Sequence, residues 1–330
     1  MAVNKKIAVS GVRPSGELHL GNYLGAIKQF VELQKKYKTF FFIADLHAIT
    51  EPQDPKNLSK QTLDIATLYL ACGLKAKETV LFVQSHVPAH VELGWMLNTI
   101  TPLGELERMT QFKEKSERQG LLAGLLNYPV QMAADILLYQ AEIVPVGEDQ
   151  VQHLELARTL ARKFNTRFGN TFKEPQALLR KEGARVMGLD DPSKKMSKSA
   201  PSANNYIGVF DDPENIRRKI KIAVTDSGKE IVYDPTKKPG ISNLLVIMSQ
   251  ISDTSVKELE AKYKNKSYGE FKNDLAEALV QKLSPIQKKY RELSKNPKKI
   301  LTILKRGAED ANKIASQTLL EAKRKMGFLI

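Results

Sequence analysis

Two short segments of this sequence carry residue types that suit phosphate chemistry. The first spans residues 11–22, follows an apolar stretch, and contains Gly16, His19 and Gly21. Backbone N–H groups at the start of a helix favour an anion, and a histidine can donate a hydrogen bond to charge that develops on a phosphate. The segment lacks the Gly-Lys-Ser/Thr of a P-loop and the G-x-G-x-x-G of a dinucleotide fingerprint. A nucleotide-binding turn and an ordinary turn whose glycines only serve packing therefore both remain open.

The second segment, residues 194–199, places three lysines and two serine hydroxyls within six residues. Lysine is a flexible point charge suited to phosphates, and a loop that closes over a triphosphate can stabilise charge as the bond to pyrophosphate breaks. The surrounding residues 190–205 are rich in Asp, Pro, Ser, Lys and Asn, which predicts a mobile loop. A solvated basic surface loop is the plain alternative.

A third position of interest is Asp135, which lies in an otherwise apolar helical stretch over residues 132–138. An unpaired carboxylate in such a setting is costly. Asp135 therefore either pairs within the protein or recognises a polar group of a ligand. His86 and His90 have helical i, i+4 spacing, but Pro88 lies between them and no third ligand is evident, so we expect structural roles for both and no metal site.

The elements around these positions predict an α/β fold. Apolar strands at residues 7–9, 39–44, 79–83 and 142–146 are separated by helical patterns at 20–37 and 55–71 and followed by one at 148–164. Continuous apolar strands that alternate with helices indicate a Rossmann-like parallel sheet. Ligands of such sheets bind at the carboxyl ends of strands, which points to the turns after Val9, Ala44 and Val146.

The second part of the chain reads as helical, with amphipathic patterns over residues 212–224, 241–251, 255–264, 268–283, 285–294 and 307–326. We expect a Rossmann-like catalytic domain over residues 1–205 and a smaller all-helical domain over residues 206–285. Residues 286–330 would form C-terminal helices that pack back on the first domain.

Composition narrows the class of protein. The 330 residues include 51 Lys and Arg against 37 Asp and Glu, a net charge of +14, and 42% are hydrophobic, which fits a globular protein. No apolar run approaches the ~18 residues of a membrane span, and we expect no secretory signal. Cys72 is the only cysteine, which excludes a disulfide framework and a multi-cysteine zinc site and fits the cytoplasm.

The positive charge is concentrated near the C-terminus. Residues 256–330 hold 18 Lys and Arg against 9 Asp and Glu. Such a surface favours a polyanionic partner, because phosphate contacts and counterion release dominate nucleic-acid affinity. Solvated helix faces explain the same charge equally well.

Taken together, the two basic and glycine-rich segments resemble the signature motifs of class I aminoacyl-tRNA synthetases, known by their letters as HIGH and KMSKS. Residues 195–199 match the second in full, and His19-Leu20-Gly21-Asn22 is a common variant of the first. Further stretches are similar to bacterial tryptophanyl-tRNA synthetases, namely residues 14–16, 21–23, 47–50, 104–116, 128–129, 132–139, 144–150, 223–227 and 238–244. The resemblance covers essentially the whole chain.

The resemblance implies a two-step ligase reaction. L-tryptophan would attack the α-phosphate of ATP, with Mg²⁺, to give tryptophanyl-adenylate and pyrophosphate. The tryptophanyl group would then pass to the 3′ end of tRNA(Trp). Such chemistry needs positioning and charge stabilisation and no protein nucleophile. The resemblance also implies a homodimer whose helical region reads the anticodon, and no DNA or membrane partner.

The resemblance assigns roles to residues at matching positions. The catalytic residues would be His19, Lys115, Lys195 and Lys198. ATP would contact Arg13, Pro14, Ser15, Gly21, Asn22, Gly147, Glu148, Asp149, Val186, Lys195, Met196, Ser197, Lys198 and Ser199. Asp135 would accept the indole N–H, and the rest of the tryptophan pocket would be Tyr128, Met132, His47, Gln111, Val144, Val146 and Gln150.

Three alternatives are weighed against this reading. A tyrosyl-type class I synthetase would carry a Lys-Phe-Gly-Lys-Ser type of loop, whereas Met196-Ser197 and residues 132–139 favour tryptophan. A nucleotidyltransferase that uses no RNA would not need the basic helical region. An RNA-binding protein without catalysis would leave both phosphate segments unused, and the sequence lacks RNP-type stacking motifs.

Overall fold

The computed structural model of the chain describes residues 5–14, 18–52, 54–113, 122–179, 186–198 and 200–330. Contacts divide the chain into two compact units. The first comprises Met1–Ser15, Glu32–Arg180 and Asn296–Ile330, and the second comprises Gly16–Val31 and Lys181–Lys295. These units differ from the three domains expected from the sequence. The units group residues that pack together, even where those residues are far apart along the chain, whereas the expected domains are continuous segments.

The first unit is built on a parallel sheet. Within the described residues its strands are β1 (Ile7–Val12), β2 (Lys38–Ile43), β3 (Thr79–Val83), β4 (Ile143–Val146) and β5 (Gln176–Leu179), in the order β3-β2-β1-β4-β5. Every neighbouring pair is parallel, so the predicted sheet type is confirmed. Strand β5 was not predicted, because its apolar run is only three residues long, at 177–179, and most of its residues are exposed at the edge of the sheet.

The helices in the described ranges are α1 (Leu20–Asn22), α2 (Lys28–Lys36), α3 (Asp45–Ala48), α4 (Pro55–Ala71), α5 (Ala89–Asn98), α6 (Leu103–Glu107), α7 (Ala123–Leu137), α8 (Val151–Phe168), α9 (Pro213–Ile222), α10 (Pro239–Ser252), α11 (Val256–Lys262), α12 (Tyr268–Ser294) and α13 (Pro297–Met326). The single helix expected over residues 20–37 is divided by a π-helical turn, Tyr23–Ile27, a feature common near functional sites. None of these helices is long and apolar enough to span a bilayer.

Aromatic side chains fill the core of the first unit. Phe40 on β2 stacks on Tyr139, with ring centroids 4.9 Å apart, and Phe82 on β3 meets the same tyrosine edge-on. Apolar residues of α5, α7 and α8 complete this cluster. Burial of such side chains is the main term that stabilises the sheet, at about 25 cal/mol per Å² of apolar area.

The C-terminal helix α13 belongs to the first unit and packs against β3, α4 and α5. Its buried face includes a series of small residues, Gly307, Ala308, Ala311 and Ala315. Gly307 lies where the helix meets the strand, and a Cβ there would lie 2.7 Å from the carbonyl carbon of Leu81 and closer still to its oxygen. The amphipathic pattern predicts that this helix begins at Gly307, whereas it begins at Pro297.

The second unit is helical, with α12 packed against α9 and α10. The sequence predicts two helices here, over residues 268–283 and 285–294, but α12 is one helix that continues through Pro285. Leu279, Leu283 and Ile286 are all buried, so apolar packing on both sides of the proline outweighs the one lost backbone hydrogen bond. Ser267 and Glu270 form a capping box at its N-terminus.

Replacing Gly307 by alanine is expected to destabilise the protein by about 1–3 kcal/mol, since the new methyl group must push the helix away from a strand carbonyl. Gly124→Ala is the matched control, because a Cβ at Gly124 meets nothing within 4 Å. The control should change stability by no more than about 1 kcal/mol, in the stabilising direction. Urea unfolding measures both, and an equal effect of the two substitutions would contradict the close approach.

Candidate active site

The carboxylate of Asp135 lies at the centre of a buried hydrogen-bond network in the first unit. Its Oδ1 accepts from Nδ1 of His90 at 2.6 Å and from Nε2 of Gln84 at 2.8 Å. Its Oδ2 lies 2.7 Å from Nε2 of His47, and Gln131 adds a longer bond of 3.3 Å to Oδ1. The side chain is 2% exposed. The apolar helix α7 thus holds a carboxylate whose partners come from several other elements.

These partners keep Asp135 ionised. Burial by itself acts to raise the pKa of Asp135, but interactions with His47 and then with His90 outweigh burial and hold this pKa well below its usual range. An ionised carboxylate only accepts hydrogen bonds. Asp135 is therefore a fixed acceptor inside the protein.

The hydroxyl of Tyr128, also on α7, connects two further polar side chains. It donates to Oε1 of Gln111 at 2.9 Å and lies 2.8 Å from Nε2 of the buried His153. Its ring meets the ring of His47 edge-on, with centroids 6.2 Å apart. The predicted pocket residues Tyr128, His47 and Gln111 are therefore close to one another.

The other predicted pocket residues lie on β4, on α7 and at the end of β4. Val144 and Val146 are buried on β4, two positions apart and therefore on the same face of the sheet. Met132 lies on α7 and is partly buried. Gln150 ends a short 3₁₀ turn and donates to Oδ2 of Asp149 at 2.9 Å.

The carboxyl ends of β1 and β4, which are neighbours in the sheet, carry residues predicted to meet ATP. Gly147, Glu148 and Asp149 follow β4 directly and lead into α8. Arg13 and Pro14 follow β1, and Nη1 of Arg13 pairs with Oε1 of Glu51 at 2.6 Å while the arginine side chain remains 46% exposed. The sheet order changes direction between β1 and β4, which is where ligands of such folds bind.

The turn that contains His19 belongs to the second unit. The N–H of His19 donates to Oδ1 of Asn22, which caps α1. Backbone bonds from Leu20 to Ile207 and from Val209 to Leu18 pair this turn with a short antiparallel segment. Glycine at position 21 leaves room for the His19 ring, because a Cβ there would lie only 3.0 Å from the ring and would force it to shift.

The lysine-rich segment lies beside this turn in the same unit. Met196 is buried and its N–H donates to the carbonyl of Val186, while the N–H of Ser197 donates to Asn205. Lys195 and Lys198, on either side, are exposed. The methionine therefore anchors the segment and leaves both ammonium groups at the surface. Lys194 pairs with Asp191 at 3.1 Å.

His19 is neutral at neutral pH. Burial lowers its pKa, and the positive charge of Lys195 lowers it further, to about 4. Its Nδ1 is buried and has no partner in the part of the chain that the structure describes. The ring can therefore act as a hydrogen-bond donor next to a cationic segment without adding charge of its own.

Comparison with known proteins identifies the family. Residues 2–284 match the sequence profile of the family described as tRNA synthetases class I (W and Y). The chain belongs to this family. The predicted membership of the class I aminoacyl-tRNA synthetases is thus confirmed.

Individual synthetases match over nearly their whole length. The tryptophan–tRNA ligase of Caldanaerobacter subterraneus subsp. tengcongensis is 54% identical over 326 residues, which cover 98% of this chain and 99% of that protein. The crystal structure of tryptophanyl-tRNA synthetase from Mycoplasma pneumoniae matches with a TM-score of 0.91 and 39% identity, covering 98% of both chains. The Campylobacter jejuni tryptophanyl-tRNA synthetase complexed with ADP and tryptophan matches with a TM-score of 0.82 and 38% identity, covering 98% of this chain and 100% of that one.

Sequence reasoning missed part of this synthetase's site. It expected a structural role for His90 and did not connect His90, Gln84 or Tyr139 with Asp135, because residues this far apart in sequence reveal their contact only in the fold. The i, i+4 position of Gln131 relative to Asp135 was the one local signal available. Three predicted site residues, Ser15, Lys115 and Ser199, lie outside the described residues.

The low pKa of His19 predicts a specific pH dependence of stability. Between the ordinary pKa of about 6.5 and the folded value of about 4, the unfolded chain binds a proton that the folded protein refuses, so stability falls as pH is lowered through this window. His19→Asn should flatten this part of the curve, measured as the urea midpoint at a series of pH values. His86→Asn, which alters an exposed histidine, should leave the slope unchanged. Three identical slopes would contradict the assignment.

Proposed function

We propose that this chain is a tryptophan–tRNA ligase, which activates L-tryptophan with ATP and transfers it to the 3′ end of tRNA(Trp). The observation that carries the proposal is the buried, ionised Asp135 in an apolar helix. Full-length relatives with this activity support the proposal, at 54% and 52% identity. The sequence-based prediction of an ATP-dependent ligase agrees with both.

Asp135 is proposed to accept the indole N–H. Tryptophan is the one amino acid whose large apolar side chain carries a single N–H donor and no acceptor. His47 is one of the two partners of Oδ2, and its side chain is 13% exposed, whereas the other partner, Gln84, is buried. A donor that approaches from the side of His47 therefore meets Oδ2.

The remaining tryptophan contacts are assigned to residues around Asp135. Tyr128 and Gln111 already hydrogen-bond each other, which suits a polar end for the amino and carboxylate groups of the substrate. Apolar contacts are assigned to Met132, Val144 and Val146. His47 and Gln150 complete the set.

The assignment for ATP draws on two kinds of group. In the first unit, the residues at the ends of β1 and β4 are assigned to ATP: Arg13, Pro14, Ser15, Gly147, Glu148 and Asp149. In the second unit, the assigned residues belong to the His19 turn and the lysine segment: Gly21, Asn22, Val186, Lys195, Met196, Ser197, Lys198 and Ser199. The exposed Lys195 and Lys198 suit the phosphates because each carries a full positive charge on a flexible stem.

The reaction needs charge stabilisation. An oxygen of the tryptophan carboxylate attacks the α-phosphorus and forms the anhydride bond, while the bond between the α-phosphorus and the bridging oxygen breaks and pyrophosphate leaves with the electron pair. Neutral His19 donates a hydrogen bond to the developing charge, and Lys195, Lys198 and Lys115 offset it. In the second step a ribose hydroxyl of tRNA attacks the carbonyl carbon and AMP leaves.

Magnesium is assigned to the substrate. In the described part of the chain, no group of three or more His, Cys, Asp and Glu side chains is arranged to hold a metal ion. Mg²⁺ commonly binds through nucleotide phosphates and keeps several waters. The positive charge of Lys195 near His19 suits a triphosphate that brings its own Mg²⁺.

The proposed functional division keeps residues 1–205 as the catalytic domain, 206–285 as the anticodon-binding domain and 286–330 as the C-terminal helices. The basic C-terminal region divides between the units. Residues 256–295 carry 10 Lys and Arg against 6 Asp and Glu, and residues 296–330 carry 8 against 3. Both parts thus offer positive charge to tRNA, and the salt dependence of tRNA binding measures their contribution.

A homodimer is proposed on an apolar surface of α5. Val91 and Trp95 are one helical turn apart and are 51% and 71% exposed. A second copy that packs on this face would bury both side chains, and sedimentation analysis of the purified protein tests it. A cytoplasmic location is proposed because the sequence has a single cysteine, Cys72, as is usual for proteins of a reducing compartment.

Asp135→Ala is expected to lower tryptophan-dependent ATP–pyrophosphate exchange by at least ~10², because the variant loses the recognition acceptor and leaves His90 and Gln84 unpaired in the core. Asp310→Ala, which removes an exposed carboxylate paired with Lys313, is the control and should exchange normally. Near-normal exchange by Asp135→Ala would exclude the assignment of Asp135 to the indole.

Lys198→Ala is expected to lower the rate of adenylate formation by about 10²-fold or more with little change in the KM for tryptophan, because its charge acts mainly in the transition state. Lys194→Ala changes a lysine of the same segment that already pairs with Asp191, and should have a much smaller effect. Single-turnover kinetics separate rate from binding. A variant that changes only the KM for tryptophan would refute the role given to Lys198.

A further inference from the structure

A second layer of side chains lies behind Asp135. His90 on α5 is completely buried, with Nδ1 2.6 Å from Oδ1 of Asp135 and Nε2 2.7 Å from the hydroxyl of Tyr139. Tyr139 is also completely buried. The histidine ring thus bridges the carboxylate to a phenol that lies deeper in the core.

The apolar setting strengthens this bridge. The ring of His90 packs beside those of Phe42 and Phe82, with centroids 5.7 and 6.0 Å away. Hydrogen bonds in such low-dielectric surroundings are stronger than in water, and breaking one leaves a costly unpaired group. His90 therefore has little freedom to turn away from Asp135.

The state of the buried Tyr139 determines which nitrogen of His90 carries the proton. Burial raises the pKa of Tyr139 far above its usual value, and the charge of Asp135 raises it further, so the phenol keeps its proton. A neutral phenol donates to Nε2 of His90, which leaves the ring N–H on Nδ1, facing Asp135. The N–H of Nδ1 then donates to Oδ1 of the ionised carboxylate.

The two oxygens of Asp135 consequently differ. Oδ1 accepts from three donors, the buried His90 and Gln84 and, at a longer distance, the partly buried Gln131. Oδ2 has two partners, the buried Gln84 and His47, whose side chain is 13% exposed. A carboxylate is symmetric in its chemistry, so only its partners determine which oxygen is offered to a ligand.

We infer that His90 is a positioning residue for amino-acid selection, which clamps Oδ1 of Asp135 so that Oδ2 stays ionised and directed at an N–H donor of the substrate. Gln84 acts as the second clamp, and Tyr139 sets the proton on His90. The inference rests on the proposed assignment of Asp135 to the indole N–H, and concerns what makes that acceptor selective.

Loss of His90 would change the character of Asp135. With one strong donor removed, the buried carboxylate would either rotate or take up a proton, because an under-paired charge in the core is costly. A protonated or rotated carboxyl accepts the indole N–H less well. Binding of an amino acid of the same shape without the N–H would be affected far less.

The test compares tryptophan with 3-(benzothiophen-3-yl)-alanine, in which a sulfur replaces the indole N–H. Discrimination is the ratio of kcat/KM for the two amino acids in ATP–pyrophosphate exchange. A site built on a buried substrate hydrogen bond should give the wild-type protein a ratio of up to about 10⁴–10⁵. His90→Leu is expected to lower this ratio at least ~10-fold, the effect of losing one hydrogen bond to a charged group.

Three variants separate positioning from simple damage to the core. His90→Asn keeps an amide N–H near the position of Nδ1 and should restore most of the discrimination. Leu97→Ala, on the same helix and also buried, should lower the melting temperature and leave the ratio unchanged. If His90→Leu does not fold, Gln84→Leu tests the same inference and should also lower the discrimination ratio. Oε1 of Gln84 has no partner within the described ranges, so this variant loses only the hydrogen bonds that Gln84 donates to Asp135.

The outcomes distinguish the inference from the proposed function. If Asp135→Ala keeps the wild-type ratio, the assignment of Asp135 to the indole is wrong and the inference fails with it. If Asp135→Ala abolishes discrimination while His90→Leu or Gln84→Leu retains it, only the inference is overturned. Equal loss of the ratio in Leu97→Ala and His90→Leu would also overturn it.

Discussion

The candidate active site depends on the cost of burying the carboxylate of Asp135. An isolated charge in an apolar core is unfavourable by several kcal/mol, so this residue is tolerated only with well-placed donors. His47 follows β2 and Gln84 follows β3, which are neighbouring parallel strands whose carboxyl ends meet at one edge of the sheet. Helix α5 adds His90. The same interaction therefore links four elements of the first unit and fixes the carboxylate that is proposed to select the substrate.

The two kinds of chemistry are divided between the two compact units. The first unit holds the residues proposed to recognise the amino acid, and the second holds His19 with the exposed lysines of its neighbouring segment. Within the second unit a buried methionine, Met196, anchors this segment, and the lysines on either side of it are exposed at the surface. Burial next to Lys195 keeps His19 uncharged. Along these few residues, the apolar Met196 is buried while the charged Lys195 and Lys198 are exposed.

The sequence predicted most of the elements that bury apolar side chains. A buried strand shows a continuous apolar run and an amphipathic helix shows a periodic one, so β1 to β4 and most of the helices were predicted. The edge strand β5 is too short and too exposed to show a recognisable apolar pattern. The helix through Pro285 was divided because a local rule about proline ignores packing on both sides of it. Similarly, Gly307 was taken as the start of a helix, although it lies inside one where a strand carbonyl approaches.

The sequence by itself determined the fold class, the two signature motifs and the family, because these depend on residue types at short, fixed spacings. It also singled out Asp135, since a carboxylate in an apolar helix conflicts with its local surroundings. Only the tertiary structure decided how this conflict is resolved. His47, Gln84 and His90 lie between 45 and 88 positions from Asp135 along the chain, and no local pattern encodes such contacts. The sheet brings them together, because parallel strands that are distant in sequence end at a common edge.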